Sequence, residues 1–148
     1  IKSSAASDVY KRQYILFPYN ETKYYLCNTK KLYMEAKSRF KVKLSNEAQE
    51  FLDGLPNKVR EKIISNIRKS TFVLDPDLFK KLDDTDIWEF RTFYNKTKYR
   101  LLAFWDKDDK INTLVIATHG FIKKTQKTPP KEIAKAEEIR KDYFNSKR

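Results

Sequence analysis

The sequence predicts a small single α+β domain, in which helices lie on one face of a twisted antiparallel sheet. Two observations lead to this prediction. Three segments of alternating polar and apolar residues, rich in aromatic side chains, follow one another in the second half of the chain, separated by short polar turns. Before and after them lie segments whose apolar residues recur every three to four positions, as in amphipathic helices. The predicted order of elements is β-α-α-β-β-β-α.

The first predicted elements are a short strand and a helical hairpin. Arg39 to Leu44 alternates polar and apolar residues, as in a half-exposed strand. Ser45 is a good N-cap for the first helix, which carries one apolar stripe and ends before Pro56. A second helix is predicted from about Asn57 to Ser70. Because the link between the two helices is short, we expect them to be antiparallel.

The sheet and the last helix follow in the second half of the chain. Phe72 to Asp84 is interrupted by Pro76 and is predicted to be a loop with a short turn, LFKKL. The three strands are predicted at about Ile87–Tyr94, Lys98–Trp105 and Ile111–Phe121. Pro129 and Pro130 stand where a helix can begin, and a C-terminal amphipathic helix is predicted after them.

The first 33 residues are predicted to be a non-native leader. Ser3 to Gln13, SSAASDVYKRQ, resembles the translation of a read-end adapter used in sequencing libraries. Tyr14 to Tyr33 has neither a strand period nor a helix period and resembles translated upstream DNA. We therefore expect one domain over residues 34–148, beginning at the only methionine, Met34. The alternative is a genuine strand-rich extension before the domain.

Composition limits the classes of function. The chain has a net charge of +12, of which +8 falls within residues 34–148, and this excess favours a polyanionic partner. The single cysteine, Cys27, lies in the predicted leader, which excludes disulfides and thiol catalysis from the predicted domain. No apolar run approaches the ~20 residues of a membrane span. We therefore expect a soluble, cytoplasmic protein with no membrane partner.

Two arginines on neighbouring predicted strands are the first candidate catalytic residues. Alternation places Arg91 on the face opposite Trp88 and Phe90. Because the aromatic face is the natural packing side for helices, Arg91 is predicted to point outward and to converge with Arg100. Two guanidinium groups can bind phosphate oxygens and stabilise the charge of a phosphoryl-transfer transition state. The alternative is a pair of cross-strand salt bridges in which Glu89 neutralises either arginine.

Further candidate residues lie on the same strands and after the last one. The only histidine, His119, precedes Gly120 and is a candidate for proton transfer, with a surface or capping role as the alternative. Four lysines are candidates for RNA and phosphate binding, and two tyrosines for stacking on a base: Lys98, Lys123, Lys124, Lys127, Tyr94 and Tyr99. A solvated charge run and core packing are the respective alternatives. The acidic loops lack the spacing of a calcium site, so no metal and no cofactor is predicted.

The runs LPNKVREKI, LFKKL, DIWEFR, YRLLAFW and HGFIKKTQKTP closely resemble the RelE/ParE toxin superfamily and, within it, the HigB-like, phage-derived type II toxins. The resemblance covers Met34 to about Tyr143. It implies a twisted antiparallel sheet with two N-terminal helices on one side. Many members are messenger-RNA endonucleases that act in the ribosomal A site and are silenced by a cognate antitoxin. Residues 34–148 would then form the toxin domain.

The resemblance also implies roles for individual residues. Arg91 matches the basic residue of the W-E-x-R strand and Arg100 the arginine of the Y-R strand, two positions that contact the scissile phosphate. His119, Lys123 and Lys124 fall in a region that supplies further acid, base or phosphate-binding groups. The implied reaction needs no metal: the RNA 2′-hydroxyl attacks the adjacent phosphate and leaves a cyclic phosphate and a free 5′-hydroxyl.

The implied partners are messenger RNA, the ribosome and an antitoxin of the helix-turn-helix type. Two alternatives remain for the function. One is a gyrase-inhibiting toxin of the same superfamily, which has no RNA chemistry. The other is an inactive module that only binds its antitoxin.

Overall fold

A computed structural model describes residues 38–107 and 114–148. The predicted leader, residues 1–33, and the first three positions of the last predicted strand, 111–113, lie outside the described residues. The strands are β1 (Lys41–Leu44), β2 (Phe79–Lys81), β3 (Trp88–Tyr94), β4 (Thr97–Asp106) and β5 (Leu114–Lys123), and the helices are α1 (Asn46–Asp53), α2 (Asn57–Ser70) and α3 (Pro130–Ser146). The predicted small α+β domain is confirmed.

The five strands form one sheet in the order β1-β5-β4-β3-β2. Two details differ from the prediction. The LFKKL segment contains the edge strand β2 rather than only a turn, and the ring of Phe79 stacks on that of Phe90 with centroids 4.3 Å apart. The sheet is also mixed rather than antiparallel, because β1 pairs with β5 in parallel. Alternation along a strand reports burial but not strand direction, so the sequence could not distinguish these pairings.

The predicted helical hairpin, α1 and α2, packs on one face of the sheet. Ser45 caps α1, since its Oγ accepts a hydrogen bond from the Ala48 N–H at 3.1 Å and donates one to the Thr118 carbonyl at 2.5 Å. The Phe51 ring of α1 lies so close to β5 that a Cβ at Gly120 would come within 2.0 Å of it. The apolar core on this face comprises, among others, Val42, Leu44, Leu52, Ile63, Ile67, Phe90, Leu101 and Val115.

The last helix, α3, packs on the opposite face. There it contributes Ala136 to a second apolar cluster, whose other buried members are Ile87, Leu102, Phe104 and Ile116. Near its C-terminus the Tyr143 hydroxyl donates to Asp106 Oδ2 at 2.6 Å, and Lys147 pairs with the same carboxylate. The part of this face toward the β3–β4 turn is covered only in part, by the segment that joins β5 to α3.

Candidate functional site

The turn between β3 and β4 determines which side chains meet on the sheet. Asn95 and Lys96 both have positive φ, 46° and 59°. This is the conformation of a two-residue type I′ turn, whose twist matches that of the flanking strands. The register that follows places Arg91 directly opposite Arg100. Opposed residues of an antiparallel pair project to the same face, so the two arginines lie side by side.

Glu89 lies between the two arginines and contacts both. Its Oε1 is 3.4 Å from the Nε of Arg91 and 3.5 Å from the Nε of Arg100, and its Oε2 accepts a hydrogen bond from the Thr128 hydroxyl at 2.8 Å. The ion pairs that the sequence left open as an alternative are therefore present. Because one buried carboxylate serves two guanidinium groups, the group as a whole keeps a net positive charge.

Arg100 does not point into solvent as predicted. It is only 5% exposed, and one of its terminal nitrogens donates to the Tyr99 carbonyl at 3.0 Å. Burial lowers the pKa of Arg100 and Arg91 lowers it further, whereas Glu89 opposes the shift. Arg91 is more accessible: its side chain is 28% exposed and donates to the Pro76 carbonyl at 3.2 Å. Alternation along a strand predicts the face of Arg100 but not its burial, which also depends on tertiary contacts such as the hydrogen bond from Thr128 to the neighbouring Glu89.

Two lysines continue the positive surface by one row toward the turn. Lys98 lies opposite Lys123, on the same face as Arg100. Burial lowers the pKa of Lys123, and the charges of Arg100, Arg91 and Lys98 lower it further, although Glu89 acts in the other direction. We refer to Glu89, Arg91, Lys98, Arg100 and Lys123 together as the cationic cluster.

The remaining predicted lysines lie at the edge of this cluster. Lys124 lines a surface pocket of about 500 Å³ together with Lys98 and Lys123. Lys127 is exposed in the segment between β5 and α3, and it is not among the residues that line this pocket. The structure thus brings Lys124 to the cationic cluster and leaves Lys127 outside the pocket.

His119 is buried, and both of its ring nitrogens have partners. The side chain is 4% exposed, with Nε2 2.8 Å from Glu132 Oε2 and Nδ1 3.0 Å from the Thr118 hydroxyl. Burial lowers the pKa of His119, and this effect outweighs the hydrogen bond to Glu132, which raises it. Because β5 continues to Lys123, the histidine lies inside the strand rather than at its end. His119 therefore connects β5 to the first turn of α3, and the structure does not present it as a free acid or base.

The two tyrosines predicted to stack on a base lie on the wrong face. Tyr99 is buried in the core under α1 and α2, and Tyr94 packs against the same core. They alternate with Arg100 and Phe93 along their strands, so the error was avoidable from strand period alone. The aromatic side chains next to the arginines on their face are Phe93 and Phe121, which lie opposite Lys98 and Arg100 respectively.

Sequence reasoning missed two residues that fix the site. Thr128 holds Glu89, and Glu132 holds His119. The partners in the first pair are 39 residues apart, so no local pattern could reveal the contact. Phe93 was also missed as a candidate, although its parity with Arg91 places both on one face.

Neither a metal-binding cluster nor a membrane-spanning helix is found in the described part of the chain. Within residues 38–107 and 114–148, no three His, Cys, Asp or Glu side chains are grouped closely enough to bind a metal ion. None of the helices in these ranges has both the length and the apolar character needed to cross a membrane.

Fold and site together define a class of protein: a small α+β domain with an arginine-centred, positively charged surface on a sheet. Residues 50–141 match the family described as phage derived protein Gp49-like (DUF891). The match spans more than half of the chain and contains the whole cationic cluster, so the chain belongs to this family, which is part of the RelE/Gp49 group of toxins. No curated protein matches the chain. The phage-derived toxin relationship is confirmed at the level of the family, and the HigB-like assignment stays a prediction.

Proposed function

We propose that this protein is the toxin of a type II toxin–antitoxin system and that it inhibits translation by cleaving messenger RNA at the ribosome. The cationic cluster carries the proposal, because two opposed arginines and two opposed lysines surround a single carboxylate on one sheet face. Such an arrangement suits a phosphodiester, whose oxygens accept several charge-assisted hydrogen bonds. Membership of a toxin family supports the biological role and implies a cognate antitoxin as partner.

The proposed reaction is an internal transesterification of RNA. The 2′-hydroxyl oxygen bonds to the adjacent phosphorus while the bond from phosphorus to the 5′-oxygen breaks. The 2′-hydroxyl loses its proton, and the departing 5′-oxygen takes one up. Negative charge grows on the non-bridging oxygens, and Arg91 is placed to bind them because its side chain reaches the surface. Arg100 is buried below this surface and contributes its positive charge. Glu89, which pairs with both arginines, orients them.

Lys123 is the best placed group for proton transfer. Its lowered pKa brings it closer to neutral pH than an ordinary lysine, which improves proton exchange with a reacting oxygen. This replaces the role first expected of His119, whose nitrogens are both occupied. A site with one proton-transfer group can suffice if the ribosome holds the RNA with the attacking and leaving oxygens in line.

A second candidate function is antitoxin binding without RNA cleavage. The observation that favours it is Glu89, which already pairs with both arginines and so competes with a phosphate. The two functions differ in what Arg91 does. In the nuclease it binds the transition state, whereas in a binding module it contributes only to a charged surface.

Substitution of Arg91 tests the proposal. We expect Arg91→Ala to lower message cleavage by roughly 10²–10³, because it removes a preorganised donor to the transition-state charge. Arg91→Lys should recover only part of the rate, since a lysine keeps the charge but cannot bind two oxygens with a planar fork. Cleavage is measured by in-vitro translation followed by primer extension on the message.

The matched control is Lys58→Ala, which removes the same charge from an exposed position on α2, on the other side of the sheet. It should leave cleavage unchanged. Full activity of Arg91→Ala with an unaltered circular dichroism spectrum would refute the nuclease. The binding module would then be the remaining function.

A further inference from the structure

We propose that Phe93 is the platform on which an unpaired RNA base stacks, two residues along β3 from Arg91, where the phosphate would bind. This inference rests on the proposed function and extends it, because it assigns the residue that binds the base and the kind of nucleotide that it accepts. The occupant is an unpaired nucleotide, since the two faces of a base in a duplex are already covered by its neighbours.

The first argument is the exposure of this ring. Phe93 lies within β3 and is 63% exposed, whereas Phe90 on the other face of the same strand is 2% exposed. A large aromatic side chain within a strand usually packs on a core. The backbone of Phe93 is paired with β4 opposite Lys98, so the ring projects from a paired strand rather than from a loop.

The second argument is the distance to the arginines. Phe93 and Arg91 are two residues apart, so they share a face, and their Cα atoms are separated by roughly 7 Å along the strand. That span fits the separation between a phosphate and the base of the next nucleotide. Phe93 lies opposite Lys98, which in turn lies opposite Lys123. A base on Phe93 would therefore leave its own phosphate group within reach of lysine side chains.

The third argument is the chemistry around the ring. An apolar protein segment placed on Phe93 would have to remove water from Lys98, which is costly without a counter-charge. A nucleotide brings a flat aromatic face for the ring and a phosphate for the lysine. Stacking on phenylalanine uses no hydrogen bond, so it accepts every base and favours purines through their larger stacking surface.

The experiment measures the affinity for a short single-stranded RNA that carries 2′-O-methyl groups and cannot be cleaved by its own 2′-hydroxyl. Fluorescence anisotropy gives the dissociation constant for the unaltered protein and for three variants. We expect Phe93→Ala and Phe93→Leu to weaken binding about 10-fold, because each loses one base–aromatic stack. Phe93→Tyr keeps the aromatic face and should bind within about twofold of the unaltered protein.

Two controls separate stacking from a general effect on the surface. Leu74 is 78% exposed but lies in the loop after α2, so Leu74→Ala should leave the affinity unchanged. In a series of oligonucleotides that each lack one base, one member should abolish the difference between the unaltered protein and Phe93→Leu. That member identifies the stacked nucleotide.

The outcomes for this inference and for the nuclease are distinct. If the protein cleaves messages but Phe93→Leu binds and cleaves as well as the unaltered chain, the stacking role is wrong and the nuclease stands. If Phe93→Leu weakens binding but no message is cleaved, the nuclease is wrong and the stacking role stands. No binding of the oligonucleotide by the unaltered protein, or loss of antitoxin binding alone in Phe93→Leu, would also overturn the inference.

Discussion

The two ends of one sheet face differ in almost every property, although the same three strands form both. At one end Phe104 and Ile116 project into an apolar cluster under α3. At the other end the same alternation projects Arg91, Lys98 and Phe93. Strand period therefore determines the face on which a side chain lies, whereas the position along the strand determines whether that face becomes core or site.

Between these ends lies a row of buried polar side chains. Leu102 is flanked by Glu89 on β3 and by His119 on β5. Glu89 accepts the Thr128 hydroxyl, and His119 contacts Glu132. The first contact attaches the segment between β5 and α3 to the sheet, and the second attaches the first turn of α3. We call the end that carries Arg91, Phe93 and Lys98 the open end, and the end under α3 the covered end. The open end depends on hydrogen bonds and charges. Its stability and binding should therefore respond to charge removal, pH and salt in ways that those of the covered end do not.

Replacement of Arg100 should cause the largest loss of cleavage and of stability. We expect Arg100→Ala to abolish cleavage and to lower the free energy of unfolding by roughly 3 kcal/mol, because it leaves the buried Glu89 with less compensating charge. This differs from the outward-pointing side chain that the sequence predicted, whose removal would cost little stability. Urea unfolding followed by circular dichroism measures the loss.

Arg91→Ala is the internal control for that measurement. It removes the same type of side chain from the same carboxylate, but from a partly exposed position, and should cost no more than about 1 kcal/mol. Equal losses in the free energy of unfolding for the two variants would show that the deeper burial of Arg100 does not increase its contribution to stability.

Much of the fold could be predicted because its signals are local. The cap at Ser45, the apolar stripes of α1 and α2 and the alternation of β3 and β4 all depend on neighbours within a few residues. The parallel pairing of β1 with β5 could not be predicted, since it joins segments about 70 residues apart and no residue type specifies it.

In the candidate site, too, some features follow from local sequence signals and others depend on contacts between distant residues. The shared face of Arg91 and Arg100 follows from strand period and a two-residue turn. The position of Glu89 beside the buried Arg100 depends instead on Thr128, and the hydrogen bonding of His119 depends on Glu132. Both are tertiary contacts. They decide which candidates remain accessible, and sequence patterns carry no record of them.

The second prediction concerns the polar row and is intermediate in size. We expect His119→Gln to lower the free energy of unfolding by about 1–2 kcal/mol at neutral pH, because a buried hydrogen-bonding group loses part of its partners. Burial lowers the pKa of His119 in the folded protein, so the unfolded chain takes up the proton first as the pH falls below about 6.5. The stability that this histidine contributes is therefore present above that pH and is lost as the pH falls toward the folded pKa.

The measurement is urea unfolding of both proteins from pH 7.5 downward through the ordinary histidine pKa of about 6.5. Because the pKa of His119 is lowered in the folded protein, its contribution to stability is lost below that pH. Three charged groups that act on His119, namely Glu132, Lys135 and Glu47, remain in the variant, so the difference between the two curves isolates the histidine. We expect the stability of the unaltered protein to fall more steeply toward acid. Parallel curves would contradict the assignment of a depressed pKa.

The smallest effect on stability is expected at the open end, where Lys98 is exposed. Lys98→Ala should change the free energy of unfolding by less than about 0.5 kcal/mol, as is usual for surface substitutions. Its effect should appear in the salt dependence of RNA binding instead. Each neutralised phosphate contributes about 0.7 to the slope of log affinity against log salt for single strands, so we expect the slope to fall by about that amount.

The control for this prediction is Lys58→Ala, on the far side of the sheet, which should leave the slope unchanged. A slope that is unaltered in Lys98→Ala would place the phosphate elsewhere, and a stability loss above about 1 kcal/mol would mean that the open end contributes to packing as the covered end does.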